Sequence, residues 1–140
     1  MSTRANIIIK DKHSKLYFYR HSDGYPEVTM ESLKGFCGMY HNQLRNNVSQ
    51  SSGWLILLGA VEYGFKGEIQ NNDKFSGWKV GAYEPTTGIH GDIEYLYVID
   101  LEKESLSCYQ IKWELGYEIT EENILKEKPV LVHNFTAKEN

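Results

Sequence analysis

Two segments near the start of the 140-residue chain, "ANIIIKD" (5–11) and "KLYFYRH" (15–21), constrain the fold more than any others. The first is a run of β-branched residues, the second alternates, and the polar turn "DKHSK" lies between them, so they predict an N-terminal β-hairpin. Alternation sends Leu16 and Phe18 to one face of the second strand and Tyr17, Tyr19 and His21 to the other. Asp23, Gly24 and Pro26 in "SDGYP" then supply a turn that ends the strand.

Downstream, Leu33, Phe36, Tyr40 and Leu44 recur near helical spacing, which predicts a helix over about 30–44 capped by Thr29. Gly35 and Gly38 each cost that helix about 1 kcal/mol relative to alanine, which implies a packing reason for small residues there. A second helix is expected over about 52–63, capped by the serines before it. Its "WLILLGAV" stretch is apolar nearly all round, so it reads as the buried central helix. Residues 64–77 are a Gly/Asn-rich loop. Strands are expected at 78–84, 94–101 and 105–112, the last two joined by the charged turn "EKE". A short helix capped by Thr120 (120–127) and an edge strand (129–135) follow. The whole chain, 1–140, reads as one α+β domain: a mainly antiparallel sheet with two to three helices packed on one face.

Net charge is −4 and no Lys/Arg run occurs, which argues against sequence-independent nucleic-acid binding. The longest apolar run falls far short of the roughly 20 residues a membrane span needs, and residues 1–10 hold too few apolar residues for a signal-peptide core. Cys37 and Cys108 form no CxxC pair and lie in apolar patterns, as reduced core thiols would. Aromatics are the enriched class: ten Tyr, five Phe and three Trp offer half-buried sheet faces and binding surface. Trp78, in "SGWKVGAYE", is a candidate interface anchor.

Two His-x-Asp triplets carry the candidate chemistry, His21/Asp23 in "YRHSDGYP" and His90/Asp92 in "IHGDIEY". Two imidazoles and two carboxylates suffice for a divalent metal if the two loops meet. Without a metal, the same residues read as turn-capping aspartates and histidines packed beside tyrosines. The loop "PTTGIHGD" places Thr86, Thr87, His90 and two glycines together, a composition suited to an anion nest. Tyr17, Tyr19 and Tyr25 could stack on a base there and Arg20 could pair with a phosphate. No Walker loop, GxGxxG turn or GxSxG elbow is present. Comparison with phosphoesterases built on paired His-x-Thr/Ser motifs departs at the third position, where Asp would repel the phosphate unless a metal neutralised it. No catalytic residue is assigned and no cofactor is called for.

"MSTRANIIIKD", "LYFYRHSDGYP" and "GAYEPTTGIHGDIEYLYVIDL" together resemble a family of small proteins recurrent in bacteriophage and mobile-element genomes. Its members open with M-[ST]-T-R-[AS]-x-I and carry an aromatic-x-H-x-D-G-Y-P signature, matched here by Tyr19, His21, Asp23, Gly24, Tyr25 and Pro26. The resemblance covers the first 30 or so residues well and 78–101 fairly well, and it transfers no catalytic residue. It implies a phage accessory protein that works in the host bacterial cytoplasm by binding. The expected partner is a protein effector of a bacterial defence system, as for an anti-CRISPR, or a small nucleotide signal. The alternative from the residues is a metal-assisted hydrolase or nucleotide-phosphate-binding enzyme using the paired triplets. A third option is a homo-oligomer formed through the tyrosine face of the hairpin.

Overall fold

The N-terminal hairpin forms as its sequence predicts. β1 (Ala5–Lys10) pairs antiparallel with β2 (Lys15–Arg20), Ile7 opposite Phe18 and Ile8 opposite Tyr17. The Asp11 carboxylate closes the turn by accepting the backbone N–H groups of His13 and Ser14, each at 2.8 Å. Those bonds hold its pKa below the usual aspartate value. The computed structural model describes residues 3–39, 47–62 and 81–135. Trp78, the loop expected at 64–77 and residues 40–44 of the first expected helix lie outside the described residues.

After β2 come α1 (Pro26–Cys37), α2 (Val48–Glu62), β3 (Glu84–Thr86), β4 (Tyr95–Asp100), β5 (Ser105–Gln110), α3 (Glu121–Leu125) and β6 (Leu131–Asn134). The six strands form one sheet in the order β3-β2-β1-β4-β5-β6. Every pairing is antiparallel except β1 with β4, which run parallel with Ala5 opposite Tyr95. This is the mainly antiparallel α+β architecture that the element pattern predicts. β1 is central and covered on both faces, so Ile7, Ile8 and Ile9 are all fully buried.

Alternation divides the core in two. Ile7, Ile9, Phe18, Tyr97 and Ile99 pack with Met30, Leu33 and Phe36 of α1 and Leu55 of α2. Ile8, Tyr19, Leu96 and Val98 pack on the opposite face with Ile93, Ile111 and Ile124 of α3. Cys37 and Cys108 are both buried in the helix-side core, and burial pushes both thiols up, that of Cys108 to about 11. They are inert at neutral pH, as expected from sequence.

Helix boundaries show where local signals compete. α1 begins at Pro26, not after Thr29, because proline's fixed φ and missing N–H suit the first helical position. Thr29 lies within the first turn instead, its hydroxyl donating to the Asp23 carbonyl at 2.7 Å. α2 begins before its serines: the Asn47 side chain accepts from the Gln50 N–H at 2.8 Å, doing the capping. Thr120 caps α3 as predicted, accepting from the Asn123 N–H at 3.1 Å.

The larger correction concerns α2. It buries one stripe (Val48, Ser51, Leu55 and Gly59) and leaves Ile56, Leu57 and Val61 between 40% and 51% exposed. An apolar run cannot tell a helix which face to bury; here the stripe with small residues faces inward. Gly59 permits that approach, since a Cβ there would lie 2.8 Å from the Tyr83 nitrogen.

Candidate functional site

The two His-x-Asp segments meet at Tyr19. β3 pairs with β2 so that Tyr17 lies opposite Thr86 and Tyr19 opposite Glu84, and the loop after β3 is laid along the second face of the hairpin. Buried Asn6 on β1 holds it there. Its side-chain nitrogen donates to the carbonyls of Phe18 at 2.9 Å and Gly88 at 3.2 Å, and its oxygen accepts the His90 N–H at 2.8 Å. The His90 ring therefore stacks on Tyr19, centroids 4.0 Å apart and planes 13° from parallel. His90 Nε2 is hydrogen-bonded to the Thr86 hydroxyl at 2.8 Å.

Around the Tyr19 hydroxyl four groups share two protons. The hydroxyl lies 3.2 Å from His21 Nδ1 and 3.4 Å from Asp92 Oδ2. Arg4 Nε lies 3.4 Å from the same His21 nitrogen and 3.5 Å from the same Asp92 oxygen. Two donors thus face two acceptors, provided His21 presents its Nδ1 lone pair and carries its proton on Nε2. Burial, and then the Asp92 charge, raise the Tyr19 pKa, so the hydroxyl stays protonated at neutral pH and is a poor general base. His21 and Asp92 are exposed at the rim, whereas Tyr19 is buried.

The other candidate residues separate from this cluster. Arg20 follows Tyr19 and so points to the helix side, where it is fully buried. Its guanidinium grips Glu62 of α2 through both terminal nitrogens, donates from Nε to the Ser22 carbonyl at 2.9 Å, and lies over the Tyr83 ring at 5.0 Å. Ser32 completes that network, bonding to Glu62 at 3.1 Å and to the Tyr83 hydroxyl at 2.6 Å. Arg20 thus joins sheet to helix, with its donors turned inward.

Asp23 sits exposed in the turn at φ 57°, a left-handed conformation that aspartate tolerates. Next to it, Gly24 is obligatory: a Cβ would lie 2.9 Å from both Ala5 Cβ and the Thr3 carbonyl oxygen. The turn is fastened by Gly24 N–H to Thr3 O at 2.8 Å and by the buried Tyr97 hydroxyl to Gly24 O at 2.6 Å. Tyr25 precedes Pro26 as the N-cap residue of α1, and Thr87 is exposed on the loop after β3. Most of the "HSDGYP" signature is therefore accounted for by folding.

Tyr17 shares the face of Tyr19 but works with a different partner. Its hydroxyl donates to Glu121 at the start of α3, which also takes the Lys15 ammonium at 2.7 Å. The bond to Glu121 raises the Tyr17 pKa. Burial raises the Glu121 carboxyl, yet Lys15 and Tyr17 outweigh it and hold it below the ordinary glutamate value. The tyrosine face expected to be open for self-pairing is covered within the chain by the 89–93 loop, α3 and its approach.

Among the described residues, no three His, Cys, Asp or Glu side chains are placed to hold a metal ion. Sequence reasoning missed Arg4 and Asn6. Asn6 had a signal, a lone amide inside an otherwise apolar strand; Arg4 had none beyond its charge. No described helix is long and apolar enough to cross a membrane. Compared with known proteins, the chain matches no family model, no curated protein and no solved structure.

Proposed function

We propose that the chain is a phage or mobile-element accessory protein that acts by binding, blocking a protein effector of a bacterial antiviral system in the host cytoplasm. The observation that carries this reading is the joint surface of the two His-x-Asp segments. Exposed His21 and Asp92 are linked through the Tyr19 hydroxyl and Arg4 into one mixed-charge patch. Side chains held by each other lose little freedom on binding, which favours recognition. Within the patch the polar atoms engage one another, and the raised Tyr19 pKa makes its hydroxyl a poor base. The resemblance of "YRHSDGYP" to phage proteins supplies the setting, and the acidic balance agrees with a protein partner over a nucleic acid.

Affinity capture from bacterial lysates carrying defined defence nucleases tests the proposal. The intact chain should retain one effector complex, and His21→Ala with Asp92→Ala should release it while remaining folded, its melting temperature lowered by about a few degrees at most. Capture of no effector would sink the reading. Calorimetric binding of a cyclic or linear oligonucleotide signal in its place would move the function to signal sequestration.

A further inference from the structure

The groups around the Tyr19 hydroxyl come from three separate stretches of chain. Arg4 precedes β1, Tyr19 lies on β2 with His21 just past its end, and Asp92 stands on the loop after β3. Glu84 of β3 acts on Tyr19 from farther away. We propose that these groups form a proton switch: a proton taken from solvent onto His21 Nδ1 drives the Arg4 guanidinium off the imidazole and adds one positive charge to the patch. This deepens the proposed function by giving the same patch a control, and its consequence for binding rests on that reading.

Arg4 fixes the proton count. A guanidinium only donates, and its Nε lies 3.4 Å from His21 Nδ1, so that nitrogen must offer a lone pair. The Tyr19 hydroxyl can donate and accept. Burial, and then the Asp92 charge, raise its pKa, so it keeps its own proton throughout the range in which histidines change charge. With His21 neutral, two donors meet two acceptors. Once Nδ1 is protonated, three donors meet two acceptors, the Tyr19 and Asp92 oxygens. Tyr19 adapts by accepting from His21 at 3.2 Å while donating to Asp92 at 3.4 Å. Arg4 cannot adapt, because two cations then face each other across 3.4 Å. Only the Asp92 oxygen at 3.5 Å remains for it. The Arg4 side chain is 35% exposed and that of Asp92 51%, so the displaced guanidinium has solvent to turn into.

His90 provides the contrast. Its Nε2 is bonded to the Thr86 hydroxyl at 2.8 Å, and a hydroxyl reverses its role when the imidazole gains a proton. Of the two histidines against Tyr19, the one facing a donor-only partner is the switch. Its charge matters for recognition because Arg4 and Asp92 otherwise balance. An acidic chain, net −4, suits a basic partner surface, and a new positive charge at the contact opposes that match.

Long-range proton–nitrogen correlation spectra of the isotope-labelled full chain read both halves of the switch. At about pH 8 the His21 ring should carry its proton on Nε2, and the Arg4 Nε–H should give a resolved signal. At about pH 5 the ring should hold both protons, and the Arg4 signal should move to the position of a free arginine. His21→Asn keeps an acceptor oxygen near the place of Nδ1 at every pH, so its Arg4 signal should not respond to acid. A His21 ring protonated on Nδ1 at about pH 8, an Arg4 signal indifferent to acid, or an equal response in His21→Asn would overturn the proposal. If His21→Asn does not fold, the ring tautomer and the Arg4 signal of the intact chain decide. Effector capture by the intact chain should weaken about threefold or more between about pH 7.5 and about pH 6, and undiminished capture would also overturn the proposal. Capture of no effector at any pH sinks the proposed function alone, and the ring and Arg4 signals then still judge the switch.

Discussion

The imidazole of His90 lies flat on the ring of Tyr19, 4.0 Å between centroids, and this contact helps join the loop after β3 to the hairpin. Ring and hydroxyl of Tyr19 do separable work. Tyr19→Phe keeps the stack and removes the bonds to His21 and Asp92, at a cost of about 1 kcal/mol. Tyr19→Ala also removes the ring from the second core and should cost about 3–5 kcal/mol. Urea denaturation of the two variants measures the difference, and equal losses would mean the stack contributes nothing.

Asn6 is the polar pin of the same loop. Asn6→Ala deletes three hydrogen bonds, to Phe18, Gly88 and His90, and should destabilise by about 3 kcal/mol. Asn6→Asp keeps the acceptor for His90 but turns a carboxylate toward two carbonyls, so it should do no better. Hydrogen exchange at the His90 amide should accelerate in Asn6→Ala while exchange in the β4–β5 hairpin holds.

Arg20 and Glu62 form a pair in which the guanidinium is wholly buried while the Glu62 side chain is still 27% exposed. Glu62→Gln neutralises a carboxylate that faces a buried guanidinium and should cost about 1–3 kcal/mol. Arg20→Met combined with Glu62→Leu removes both charges and should recover much of that loss. A double-mutant cycle in chemical denaturation checks the sign of the coupling.

Acid should open the Lys15–Glu121 clip. Glu121 has a folded pKa below its unfolded value of about 4.5, so its contribution is fully present above that pH. The contribution is lost as pH falls through the lower folded value. Because Lys15 is well exposed, the gain over Glu121→Gln should be about 1 kcal/mol or less at neutral pH. Stability curves of the two proteins should converge in strong acid; a gap that persists there would mean the clip does not depend on charge.

Sequence gave access to whatever neighbours decide. The β1–β2 and β4–β5 hairpins, the Thr120 cap and the turn at Asp23–Gly24 all follow from residues a few positions apart. Thr29 misled because a threonine before an apolar run is a genuine cap signal, and Pro26 three residues earlier is a stronger one. For α2, hydrophobicity without an amphipathic pattern left the buried face undefined, and tight seats such as Gly59 against Tyr83 define it. The site shows the same boundary. His21, His90, Asp92 and Thr86 were visible as residue types, but their meeting depends on β3 joining β2, a pairing across more than sixty positions that no local pattern encodes. Arg20 lost its expected place beside the tyrosines through strand alternation alone.

The parallel pairing of Ala5 with Tyr95 has a consequence for how the molecule comes into being. Of the six strands, the one made earliest lies at the centre of the finished sheet, and one of its two neighbours is made ninety residues later. Until then the Ile7–Ile9 run has a bare edge, with only β2 beside it. Bringing β4 home requires closing a long chain loop before the contacts that reward it exist, which slows folding. The newborn hairpin is thus a stage exposed to misassociation, and synthesis of β4 is what ends that exposure.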